Sequence, residues 1–172
     1  MAISAWLGLV YTLVLLLGVP VWVTAQVPGQ VSALDGRLQA KLPGVVARTR
    51  KPTPGPAGAR LEWQVRYHLT NQRAAYGVAW APWSPPPGAQ PQDWLPALEA
   101  VLRRQAGLEL APRTRIWQQG LQGWAWQITH PQHGSGELRL FAQGGYLLAI
   151  AAAGPQGLPP SGATCLQSLQ FY

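Results

Sequence analysis

Residues Ile116–Ala152 read IWQQGLQGWAWQITHPQHGSGELRLFAQGGYLLAIAA, and this stretch decides the fold. Gly120 and Gly123 punctuate one strand pair, and Gln143-Gly144-Gly145 separates two runs of alternating residues. Glycine reaches positive φ without a Cβ clash, so both places predict hairpin turns. Trp124, Trp126, Ile128 and His130 share one strand face by their period of two, and Leu138, Leu140, Tyr146, Leu148 and Ile150 are expected to continue it. An antiparallel sheet with one strongly aromatic face follows.

Working back along the chain, Ala59–Thr70 alternates five times, with Leu61, Trp63, Val65, Tyr67 and Leu69 on one face and polar residues on the other. Tyr76, Val78 and Trp80 continue as a second strand whose other face is small, namely Ala75, Gly77, Ala79 and Ala81. A face that small predicts a helix packed closely over it. The helix follows: Asp93 reads as its N-cap, Leu95, Leu98, Val101 and Leu102 keep helical spacing, and Gly107 suits its C′ position. Gly36–Pro43 reads as an opening strand, residues 44–58 as a proline-rich loop, and Ser161 as the cap of a short closing helix with Leu166 and Leu169 inward. The fold class is α+β: an antiparallel sheet of about six to seven strands with one amphipathic helix on it and a short C-terminal helix.

The chain has 172 residues, nine Trp, only 11% charged residues and a formal charge of +7. Its apolar content is enough to fold, which excludes a disordered chain. The basic residues are spread, and no groove-reading motif accompanies them, so the charge does not predict nucleic-acid binding. Only Arg48, Arg50 and Lys51, and the pair Arg103–Arg104, cluster. The first cluster is a candidate for an acidic surface or anionic lipid; the second suits the negative end of a helix. A single cysteine, Cys165, permits no internal disulfide.

Residues 5–23, AWLGLVYTLVLLLGVPVWV, are uncharged and apolar. As a helix they would span about 28 Å, close to the hydrocarbon core of a bilayer. Residues 1–25 therefore read as a signal peptide or an N-terminal membrane anchor, 26–35 as a linker, and 36–172 as the domain. Pro20 and the small Val23-Thr24-Ala25 before Gln26 favour export. Against this, the start carries no Lys or Arg and the nearest basic residues, Arg37 and Lys41, follow the apolar run, which by the positive-inside rule would face the domain to the cytoplasm.

The order of elements resembles the PsbP-like and DcrB-like family of small exported domains. Cys165-Leu166-Gln167-Ser168-Leu169 stands where that family closes on F-L-x-S-F, keeping Leu166 and Ser168. Gly120, Gly123-Trp124 and Gly145-Tyr146 match its glycine-led aromatic strands. The resemblance spans residues 36–171. It implies a non-enzymatic domain in the periplasm, the thylakoid lumen or outside the cell that binds a protein partner at a membrane surface. No catalytic residues come with it.

The residues themselves show no enzyme motif and call for no cofactor. Asp35, Glu62, Asp93, Glu99, Glu109 and Glu137 form no close pair in sequence, and neither a nucleophile elbow nor a phosphate-cradling loop is present. His130 and His133 across a turn are a weak metal candidate that lacks further ligands. Trp63, Trp80, Trp124 and Trp126 read as core. Trp83 and Trp117 fall at strand or loop ends and are candidates for stacking on a sugar or a partner. A small-ligand or glycan-binding module, and a cytoplasm-facing anchored domain on anionic lipid, are the alternatives to protein docking.

Overall fold

A computed structural model describes residues 29–70, 73–131 and 134–172. The apolar stretch 5–23 and the start of the expected linker lie outside the described residues. The strands are β1 (Gln30–Ala33), β2 (Leu38–Lys41), β3 (Ala47–Pro54), β4 (Arg60–Leu69), β5 (Ala75–Pro82), β6 (Glu109–Leu110), β7 (Thr114–Gln118), β8 (Leu121–His130), β9 (Gly134–Gln143), β10 (Tyr146–Gly154) and β11 (Gln170–Phe171). Helix α1 (Pro91–Ala106) follows β5 and α2 (Gly162–Gln167) follows β10. The larger sheet runs β3-β4-β5-β10-β9-β8-β6, with β7 also on β8, and the smaller runs β1-β2-β11. Every pairing is antiparallel.

The two hairpins expected around Gly120 and Gly144-Gly145 are present. Gln119 and Gly120 have φ of 51° and 79°, and Gly144 and Gly145 have 57° and 82°. Positive φ at both loop positions is the turn whose twist matches the flanking strands. Gly123 has a different reason to be glycine: a Cβ there would collide with the Leu140 carbonyl oxygen and the Phe141 ring on β9. Residues 131–133 join β8 to β9, whose first pair is His130 with Gly134.

The strand count exceeds the expected six to seven, and the additions have physical causes. Gln30–Ala33, expected within a linker, pairs with β2 in the small sheet, burying Val31. Ala47–Pro54, expected as a loop, is the outermost strand of the large sheet, where a proline's missing N–H removes no ladder bond. Glu109–Leu110 and Gln170–Phe171 are two-residue strands below the length at which alternation is visible. Helix α1 starts earlier than expected, with Gln90 as N-cap; Asp93 sits at N3 and its carboxylate accepts the Gln90 backbone N–H at 2.6 Å. Pro96 therefore lies in the second turn. Ser161 precedes α2, but its hydroxyl bonds Tyr76 Oη at 2.8 Å and does not cap the helix.

The middle of the large sheet, β5 and β10, is buried on both sides. Leu61, Val65, Ala79, Ala149, Leu140, Trp124 and Trp126 face Trp94, Leu95 and Leu98 of α1. Tyr76, Val78, Trp80, Leu148, Ile150 and Phe141 face the small sheet and Cys165, Leu166 and Leu169. This corrects the single aromatic face. The two-residue turn pairs Gln143 with Tyr146, which sets Leu148 opposite Phe141. Tyr146, Leu148 and Ile150 thus point away from Trp124, and Trp80 is buried on their side.

Polar ties seat each cover. Glu99 of α1 is mostly buried; its carboxylate accepts Trp126 Nε1 at 2.9 Å and Arg113 Nη1 at 3.1 Å. On the other side, Gln118 Nε2 donates to the carbonyls of Leu166 and Leu169 at 2.7 and 3.2 Å, and its Oε1 accepts Arg139 Nη1 at 2.7 Å. Ser168 Oγ accepts the Lys41 backbone N–H at 2.8 Å and donates to Cys165 O at 2.6 Å, locking α2 onto β2.

Removing Glu99 orphans a buried indole N–H. Glu99→Ala is expected to lower the unfolding free energy by about 1–3 kcal/mol. Glu62→Ala, which removes only an exposed pair with Arg60, should stay within about 0.5 kcal/mol. Urea midpoints of the two variants check the contrast.

Candidate functional site

Strand alternation divides the basic cluster. On β3, Arg48 pairs with Arg66 and Arg50 with Gln64, while Lys51 pairs with Trp63. Arg48 and Arg50 therefore stand on the face shared with Trp80, and Lys51 on the face covered by α1. The structure does not hold the three residues together.

Arg48 and Arg50 are exposed and meet half-buried Arg66 of β4. The Arg66 guanidinium carbon lies 5.1 Å from the centre of the Trp80 ring, a cation–π contact. Burial depresses the Arg66 pKa, and the charges of Arg48 and Arg50 add to the effect. Among the described residues, none of the three forms an ion pair with a carboxylate. Arg50 Nε instead donates to Gln64 Oε1 at 3.0 Å, and Glu62 is engaged by Arg60. Val45, 58% exposed, is linked to this face by its carbonyl's contact with His68 Nδ1 at 2.8 Å. The result is a cationic face with unanswered charge, held by two paired strands. Arg66 is the member that the sequence reading did not single out; its place on the polar face of the β4 alternation is the signal that could have found it.

On the other face, Lys51 opens onto an apolar pocket between α1 and the sheet, with a cavity volume of about 60 Å³. Ala79 and Ala149 of the two central strands form part of its wall, with Val101 and Leu102 of α1 opposite. The space exists because alanines face a stretch of helix whose Val101 and Leu102 are only half-buried. Thr53, buried beside Lys51, accepts the Trp63 indole N–H at 3.1 Å. Burial lowers the Lys51 pKa from 10.5 to about 8.

The tryptophan candidates are separated. Trp83 is half-buried, with its ring 5.0 Å from Trp94, which in turn meets Trp124 edge-on at 5.4 Å. Trp117 is 71% exposed on β7. Their strands, β5 and β7, are four spacings apart, about 19 Å, so no single sugar ring bridges them. His130 is half-buried beside Gly107 and its pKa is lowered by burial. His133 lies outside the described residues, among which no group of three His, Cys, Asp or Glu is placed to hold a metal. Nor is any described helix long and apolar enough to cross a membrane.

No family model matches the chain, and no curated protein does. The fold is similar to the solution structure of cyanobacterial PsbP (CyanoP) from Synechocystis sp. PCC 6803. The TM-score is 0.56 at 11% identity, over 86% of this chain and 95% of that one. The fold is thus PsbP-like, as the order of elements suggests.

The depressed Lys51 pKa fixes a pH dependence. Below pH about 8 both states are protonated and the folded one holds a poorly solvated ammonium. Between there and the unfolded value of 10.5 the unfolded chain binds more protons, so this group's contribution to stability rises with pH. Lys51→Met is expected to exceed the wild type in urea midpoint near neutral pH, with the gap narrowing by about pH 10. Paired urea titrations across that range check the sign.

Proposed function

We propose that this chain is a non-enzymatic, exported PsbP-like domain that docks on an acidic face of a protein partner at a membrane surface, in an accessory or assembly role. The observation that carries the reading is the trio Arg48, Arg50 and Arg66: three guanidinium groups on paired strands with no carboxylate answering them among the described residues. A folded protein ordinarily disperses like charge or pairs it, because crowding it destabilises the compact state. An acidic partner relieves that repulsion, and bidentate arginine–carboxylate pairs supply register as well as energy. Pro20 and the small residues before Gln26 support export. The accessory role is what the resemblance of the closing segment implies; the likeness to cyanobacterial PsbP supports the fold.

The test is a gentle pull-down from native membranes with the full chain, with identification of what stays bound. Wild type should retain a protein that is released as salt rises. The double variant Arg48→Glu/Arg50→Glu should reduce recovery on the order of tenfold. Recovery of the domain alone, or retention indifferent to both salt and charge reversal, overturns the proposal. Salt-sensitive sedimentation with phosphatidylglycerol vesicles but with no protein partner would point instead to anionic lipid.

A further inference from the structure

The pocket beneath α1 has no part in that docking face, and its chemistry is specific. Its walls are aliphatic except for Trp63, Thr53 and Lys51. Thr53 Oγ1 already accepts the Trp63 indole N–H, which leaves the hydroxyl proton to donate. Lys51 stands two residues away on the same face of β3 and, among the described residues, has no carboxylate partner. The one charge lining the pocket is therefore a cation, and the neighbouring polar atom is a donor.

Size narrows the ligand. A cavity of about 60 Å³ exceeds the roughly 10–15 Å³ that one water needs, yet falls well short of the roughly 150 Å³ cavity that holds a benzene ring. That is room for a short aliphatic segment and not for an aromatic ring. We propose that this pocket binds a short-chain aliphatic monocarboxylate, with its alkyl end between Ala79, Ala149, Val101 and Leu102 and its carboxylate taken by Lys51 and Thr53. The two alanines are what keep the space open, and Lys51 on the outermost strand puts the cation where a ligand would enter. An amine of the same length is repelled by the same lysine. A carboxylate without a tail forgoes the apolar walls.

The test is calorimetric titration of the full chain in phosphatidylcholine nanodiscs, with empty discs as the blank, using butanoate, butylamine and acetate as probes. Butanoate is expected to bind saturably, and the other two are not. Lys51→Met should weaken butanoate at least tenfold, and Lys51→Arg should restore most of the affinity. Ala149→Val, checked for unchanged circular dichroism, should weaken it by crowding the cavity. Butanoate affinity should also fall as pH rises and Lys51 loses its charge. Absence of saturable butanoate binding, equal binding of butylamine, or butanoate binding indifferent to Lys51→Met overturns the proposal. If Ala149→Val does not fold, the Lys51 pair and the three probes still decide the matter.

Discussion

Two neighbouring strands, β5 and β10, are buried on both faces, and the remaining elements are placed by the need to cover them. Val78, Leu147, Leu148 and Ile150 are fully buried, and Ala149 and Ala151 nearly so. Strands in that position cannot leave one side to water, so two covers are required. The residue sizes set how close each cover comes. Alanines of these two strands face α1 and leave the pocket beneath it. Large side chains face the other way and hold the small sheet and α2 at a distance that they fill themselves.

Packing supplies most of the attachment, and hydrogen bonds fix its geometry. Each fully buried Leu contributes about 1.5–3 kcal/mol on leaving water, whereas a satisfied hydrogen bond nets about 1 kcal/mol. Trp94, Leu95 and Leu98 therefore outweigh Glu99 in holding α1 down. Glu99 decides the helix's rotation, because its carboxylate must meet Trp126 and Arg113 together. Gln118 does the equivalent for α2 by receiving Arg139 and donating to two helix-end carbonyls. Ser168, the serine of the family-like closing segment, has a structural job in joining α2 to β2.

Legibility followed the contrast between faces. Strand β4 was readable because its outer face is polar from Glu62 to His68. Strand β10 was readable as a strand but not as to direction: both its faces are apolar, and only the length of the Gly144-Gly145 turn decides which residues meet α1. Strand β3 was hidden by Pro52 and Pro54, whose edge position depends on partners remote in sequence. Missing it also hid the division of Lys51 from Arg48 and Arg50, which simple alternation along a strand would have shown. The small face of β5 was legible as a seat for a helix. That Ala149 lies opposite the half-buried Val101 and Leu102, leaving space, depends on how the helix crosses the sheet, which no local pattern carries.

The pairing of β5 with β10 joins Ala75–Pro82 to Tyr146–Ala153 across most of the domain's length. It is a seam between the two halves of the chain, and the proline loop after β5 gives the false impression of a boundary. A cut in that loop would leave each fragment with a bare hydrophobic strand along its margin, a form prone to clumping. The domain is in this sense indivisible: its halves become soluble by closing on each other.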